Sequence, residues 1–289
     1  MGSLATTVEE QIEKLKSRNM VMDLGDVKAK EILLDIGYYR LGFYWHPFEI
    51  DSEHNLGIGT KFSDIVNLYY LDTDLKNLLS KALNRIEINF RTQIIYYVSN
   101  YYKKNPTWFA DNKIVSKKYV DGFSKIYNDK FKKNNKPISN HHSKHKNDIY
   151  APAWKTLEFL TFGSIITLYL SINNEQLQKS IALKYGIKSL DVFKNYLLTI
   201  LFIRNICAHS DLLFDSSTPK GIKSSPLVTI ESDKRHCLSS SLKVVIYFLE
   251  NISSNRSEEL KNEIRTIFNK YSKKEEIKRI IVDKIKYTF

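Results

Sequence analysis

Residues 62–102 constrain the fold more than any other part of the chain. Leu75, Leu78, Leu79, Ala82, Leu83, Ile86 and Phe90 recur at steps of three and four. At 100° per residue that spacing lines one face of an α-helix and cannot line one face of a strand, whose side chains alternate. A helix of such length needs partners along its whole apolar stripe, and the rest of the chain offers helices. Thr6-x-x-Glu9 and Thr7-x-x-Glu10 are candidate capping boxes opening a helix to about Met20. Asp26 is expected to cap a second helix closed by Gly37, and a break in the long helix is expected near Asp72-Thr73-Asp74. Pro106 is expected to end it. Helices are further expected over 152–170, 174–185 (ended by Gly186) and 190–209, with amphipathic helices after 232. Leu227-Val228-Thr229-Ile230 is the one tempting strand, and it is short. The class is all-α.

Residues 195–203 carry no charge and read as a buried helix, which then ends in Arg204-Asn205-Ile206-Cys207-Ala208-His209. A guanidinium, an amide and an imidazole thus fall where the pattern predicts core. Burying them unpaired costs several kcal/mol, so the string holds a satisfied polar network or chemistry. Asn205 and His209 lie about 40° apart on the helix, while Arg204 lies roughly 140° from His209. Either the Arg side chain wraps around, or a second copy of the helix completes the set. Cys207 reads as a small buried hydrophobe.

The formal charge of +12 calls for a polyanionic partner, RNA, DNA or an acidic lipid surface, without choosing among them. Lys dominates the cations, as an AT-rich coding sequence alone would give, so the distribution says more. Between Lys117 and Lys146 nine Lys face two Asp. Residues 133–147 read as a polar loop with Lys130, Lys132, Lys133, Lys136 and Lys144 in or beside it as candidate RNA contacts. Its His141-His142-x-x-His145 cluster lacks Cys or acid at zinc spacing and is read as solvated, with no metal site. Arg40, after Tyr38-Tyr39, is read either as a clamp within the fold or as an RNA contact. Arg85, Glu87 and Arg91 suggest an internal ion-pair network that Glu158 could join. Tyr44, Trp45 and Trp154 could stack bases, with core packing the default.

Two cysteines suggest a reducing compartment. The longest uncharged run, residues 159–174, falls short of the ~20 residues a membrane span needs. A cytoplasmic protein is expected, with no cofactor and no membrane contact.

Several blocks occur in one order: Ile36-Gly37-Tyr38-Tyr39-Arg40-Leu41, Arg85-Ile86-Glu87-Ile88-Asn89-Phe90-Arg91, Pro152-x-Trp154 through Glu158 to Phe162-Gly163, and finally Arg204-Asn205-x-Cys207-Ala208-His209. Over roughly residues 8–215 the chain resembles the bacterial Abi-like family (AbiD/AbiF type) of phage abortive-infection proteins, within the HEPN superfamily. The resemblance implies an HEPN-like helical bundle over 60–215 with a basic insertion near 117–147. A helical segment at 1–59 would precede it, and a loop with C-terminal helices would follow at 216–289. It also implies a homodimer that cleaves RNA without metal at a composite Arg-x4-His site, with Arg204, Asn205 and His209 catalytic. A neighbouring non-coding RNA is a second possible partner. Where the family commonly continues His-His-x-Arg-Leu-Trp-Asn, this chain has His209-Ser210-Asp211-Leu212-Leu213-Phe214-Asp215. The rival expectation is a non-catalytic RNA-binding or interaction module of the same fold. A regulator without nuclease ancestry is disfavoured because no helix-turn-helix signature stands out.

Overall fold

The computed structural model describes residues 4–209 and 211–288, and among them it is built of helices. These are α1 (Val8–Ser17), α2 (Asp26–Ile36), α3 (Tyr38–Trp45), α4 (Phe62–Tyr101), α5 (Lys117–Ile126), α6 (Asp129–Asn134) and α7 (Lys136–Lys144). They continue as α8 (Ala153–Thr156), α9 (Phe162–Leu170), α10 (Glu175–Leu183), α11 (Leu190–His209), α12 (Leu238–Glu250), α13 (Ser254–Tyr271) and α14 (Glu275–Ile280). β-pairing among the described residues is limited to three isolated bridges, so the all-α expectation holds and the tempting strand at Leu227 does not form.

The architecture is a bundle around α4. At 40 residues this helix is about 60 Å long. It packs against α3 and α9–α14, which together cover its apolar stripe. The centre is aromatic. Phe90 of α4 meets Phe162, Tyr169 and Phe193 at ring distances of 6.2, 5.4 and 6.0 Å, and Phe193 stacks on Phe248 of α12. Tyr185 joins this cluster and donates its hydroxyl to Asn89 Oδ1 at 2.7 Å, satisfying its polar tip.

Some start and stop signals work as expected. Thr7 and Glu10 form the capping box of α1, and Gly186, at φ 69°, follows α10. Gly37, at φ 92°, ends α2 and opens α3, a left-handed backbone that glycine adopts without strain. Asp26 makes no cap bond; it lies inside α2 and pairs with Lys16.

Three expectations are corrected. The long helix does not break at Asp72, because that carboxylate bonds tertiary partners instead of competing for local backbone. Segment 152–170 is not one helix: a 3-10 turn follows α8, the chain extends at Leu160, and Thr161 caps α9 by accepting from Ser164 N–H. The 133–147 stretch is not a loop. Asn128 caps α6 by accepting from Phe131 N–H, Pro137 sits in the first turn of α7, and Ile138 and His141, one turn apart, bury that helix.

Candidate functional site at the end of α11

Helix α11 has two faces. Phe193, Tyr196, Leu197, Ile200, Ile203 and Ile206 are buried against α4, α9, α10 and α12. On the other side Leu198, Leu201 and Phe202 are half-buried, and Asn205, Ala208 and His209 are exposed. The apolar run is therefore not core on all sides, and the polar string does not lie where core was expected. It emerges at the end of the helix, on and beside a half-buried apolar face bordered by Thr218, Pro219 and Lys220.

Arg204 points the other way. Its Nε donates to Glu87 Oε2 of α4 at 3.2 Å, and its side chain is one-third exposed. Glu87 Oε1 accepts from the Arg91 guanidinium at 2.8 Å. Arg91 also donates to the Leu160 carbonyl at 3.0 Å, which pins the extended break before α9, and lies 3.8 Å from Glu158. The expected ion-pair network thus exists around Glu87 and Arg91, and Glu158 joins it. Arg85 is not part of it; it lines a groove with Arg256 and Glu259 of α13. Nε is the only Arg204 nitrogen with a hydrogen bond among the described residues, so its terminal amino groups remain available for a phosphate.

A second carboxylate of α4 holds the chain just beyond α11. Asp72 is fully buried. It accepts from the Tyr44 hydroxyl (2.9 Å), Leu213 N–H (3.0 Å), Phe214 N–H (2.7 Å) and Lys76 Nζ (2.9 Å). Lys76 also donates to the Asp211 carbonyl at 3.2 Å. Leu213 and Phe214 are buried as a result, and Phe214 packs on Tyr44. The burial of Tyr44 and the neighbouring Asp72 charge push its phenol pKa up, so it stays a donor. Burial likewise pushes the Cys207 thiol up to about 12, with Asp72 adding to the shift. A thiol so held is neutral and a poor nucleophile, as its small-hydrophobe role predicts.

Asn205 and His209 come to one exposed face, and Arg204 to its flank, about 100° from Asn205 and about 140° from His209, roughly 7.5 Å back along the axis from His209. Asp72 and Lys76 were missed as site residues, and so was the Glu87–Arg204 pair. One signal was available. Asp72 falls at the stripe position between Leu68 and Leu75, and Glu87 between Leu83 and Phe90, so each is an acid where the periodicity demands core.

The lysine candidates lie on a separate arm, α5–α7, packed on α8 and the turn at Trp108–Ala110. Lys130, Lys133, Lys136 and Lys144 are exposed; Lys132 is half-buried over the Tyr127 ring. Two of the three histidines there are anchors, contrary to the solvated-loop expectation, while His145 is exposed as expected. His141 is buried and 3.0 Å from Asp148, and His142 lies 2.9 Å from the Tyr127 hydroxyl. No group of three or more metal-ligating side chains occurs among the described residues. Tyr44 and Trp45 are core, whereas Trp154 is 53% exposed. Among the described residues no helix is long and apolar enough to cross a membrane.

No curated protein and no solved structure matches the chain. The family model for Abi-like proteins matches residues 31–215. That span holds Arg40, Asp72 and Glu87 of α4, the lysine arm and all of α11, and it stops one residue after the segment that Asp72 clamps. Covering well over half of the chain, the match shows that this protein belongs to the Abi-like family, a membership that points to abortive infection, a defence against phage.

Proposed function

We propose that this chain is a metal-independent endoribonuclease of HEPN type, acting as the toxic component of phage defence at a site composed by two copies of the α11 end. One observation carries the reading: Asn205 and His209 stand exposed beside the half-buried stripe Leu198, Leu201 and Phe202, while Glu87 holds Arg204 on the flank of the same helix end. An apolar face ending in polar groups suits a symmetric pairing of two such helices.

The chemistry follows from the side chains. One His209, as general base, takes the proton of a ribose 2′-OH, whose oxygen attacks the neighbouring phosphorus. The P–O5′ bond breaks, a 2′,3′-cyclic phosphate forms, and the partner's His209 protonates the departing O5′. Arg204, always cationic, offsets the charge of the phosphorane through its terminal nitrogens. Asn205, on the His209 face, orients the imidazole or bonds a phosphate oxygen. Lys130, Lys132, Lys133, Lys136, Lys144 and Arg40 attract the RNA, either a cellular target or an associated non-coding RNA.

The alternative is an RNA-binding module of the same fold without turnover. It is favoured by the Glu87–Arg204 pair, which partly neutralises the guanidinium, and by the missing second His after His209. Purified protein incubated with single-stranded RNA in EDTA separates the two. The nuclease yields 2′,3′-cyclic ends, and His209→Ala and Arg204→Ala each lose at least ~100-fold in rate. Equal degradation by wild type and His209→Ala would sink the enzymatic reading. Sedimentation showing only monomer, with and without RNA, would remove the composite site.

A further inference from the structure

Of the three tryptophans, Trp45 and Trp108 are buried, and only Trp154 of α8 stands on the surface. Its indole pairs with no other ring, and its N–H has no acceptor among the described residues. The backbone beneath it, by contrast, is fixed. Ala153, Thr156 and Leu157 are fully buried. Ala153 N–H donates to the Pro106 carbonyl and Thr156 Oγ1 to the Ala151 carbonyl, each at 2.8 Å. A large exposed ring on an ordered backbone suits a flat ligand, because that backbone need not be ordered on binding.

The charge around it is positive. The segments that meet here, 103–113 and 144–158, carry six lysines against Asp111, Asp148 and Glu158. Each acid is engaged. Asp111 accepts from the Asn105 amide and the Lys113 N–H, Asp148 lies 3.0 Å from His141, and Glu158 lies 3.8 Å from Arg91. The ammonium groups of Lys103, Lys104 and Lys155 have no hydrogen bond or ion pair among the described residues. Lys155 follows Trp154 in the chain, and the other two precede Pro106, whose carbonyl holds Ala153.

The place of α8 gives this surface a direction. The helix packs on α7 of the lysine arm and on α4. One turn beyond Trp154, Glu158 leads through Arg91 and Glu87 to Arg204. Trp154 is therefore carried on the element that joins the arm to the end of α11.

We propose that Trp154 is a base-stacking subsite for single-stranded RNA passing from the lysine arm to the end of α11, with the adjoining phosphates met by Lys103, Lys104 and Lys155. In naming RNA the subsite rests on the nuclease reading; stacking itself requires only a base whose face is free, which a duplex does not offer.

The test uses the full chain and a 2′-O-methyl oligouridine, which lacks the attacking hydroxyl and so reports binding whether or not RNA is turned over. Because Trp45 and Trp108 are buried, quenching of tryptophan emission by the probe reports on Trp154. Trp154→Ala should keep a melting temperature close to wild type, lose the quenching and bind about tenfold more weakly. Trp154→Phe, which keeps a ring, should retain most of the affinity. The subsite is wrong if Trp154→Ala binds like wild type, if the wild type binds without quenching, or if it does not bind the probe. Conversion of a dimer to a monomer by Trp154→Ala, with RNA affinity unchanged, would assign the indole to a protein interface instead. RNA cleavage unaffected in Trp154→Ala, with equal probe affinity, would overturn the subsite and leave the nuclease reading standing. Quenching and normal affinity in a protein that never cleaves would overturn only the nuclease reading.

Discussion

The end of α11 is held by two buried carboxylates of α4, whereas the α5–α7 arm is held by a column of aromatic rings. In the arm, Tyr119, Phe123, Tyr127 and Phe131 follow one another every four residues, with successive ring distances of 5.9, 5.9 and 5.4 Å. Phe109 and Tyr150 close the column from the side. The lysines of the arm are left on its outer surface. At α11 the arrangement is reversed: charge lies inside, on Asp72, Lys76, Glu87 and Arg91, and apolar side chains lie partly outside. A buried charge fixes geometry because few positions satisfy it, while an exposed one sets the local field and constrains little. One region is thus built to place groups accurately and the other to carry charge.

The largest effect that would break this contrast is at Asp72. Asp72→Ala leaves the Leu213 and Phe214 amides buried without their acceptor and Lys76 with only the Asp211 carbonyl, and should destabilise the fold by about 3–5 kcal/mol. Urea unfolding measures it; Asp72→Asn, which keeps the shape and one acceptor, should lie between. A loss under ~1 kcal/mol for Asp72→Ala would mean that the clamp is ornamental.

Replacing Lys130, Lys132, Lys133 and Lys136 together by Gln should change stability by about 1 kcal/mol or less, since three of the charges are exposed and contribute little and only Lys132 gives up a contact, over the Tyr127 ring. The same variant should bind RNA more weakly, with a flatter dependence on salt, because fewer counterions are released. An unchanged salt slope would make the lysine face a solvated surface and nothing more.

The smallest expected effect is on pH. Burial holds the His142 imidazole below its ordinary value, with the charges of Lys132 and His141 acting the same way and Asp148 opposing them. The unfolded chain takes up this proton near pH 6.5, while the folded arm resists it until lower pH. Stability from this group is therefore complete above about pH 6.5 and declines as the pH falls from there to the folded value. Hydrogen exchange of α7 amides, corrected for intrinsic rate, should show the arm loosening between pH 7 and 5 before α11 does. Equal protection across that range in both regions would remove the distinction.

Much of the site's location was legible because it depends on local spacing. The uncharged run through Ile203, the polar string after it and the stop at His209 delimit α11 without tertiary information. The aromatic steps of the arm were equally regular, yet the stretch from 133 looked like a loop, because Asn, Lys and His are weak helix signals alone. The anchors Ile138 and His141 become helix-forming only once Asp148 and the aromatic column are in place. The break at Leu160 was invisible for the same reason: its carbonyl is satisfied by Arg91, which lies 69 residues earlier.

From the sequence alone came the all-α class, the family resemblance, the α11 helix with Arg204, Asn205 and His209 at its end, and the concentration of lysine between residues 117 and 146. These follow from periodicity, capping chemistry and charge, each a property of residues close along the chain. Only the tertiary structure decided that α4 runs unbroken through Asp72, that Glu87 takes Arg204 rather than Arg85, and that Asn205 and His209 face outward beside a half-buried stripe. A carboxylate at a core position must find donors, and whether they come from the next turn or from 141 residues away depends on how the helices pack.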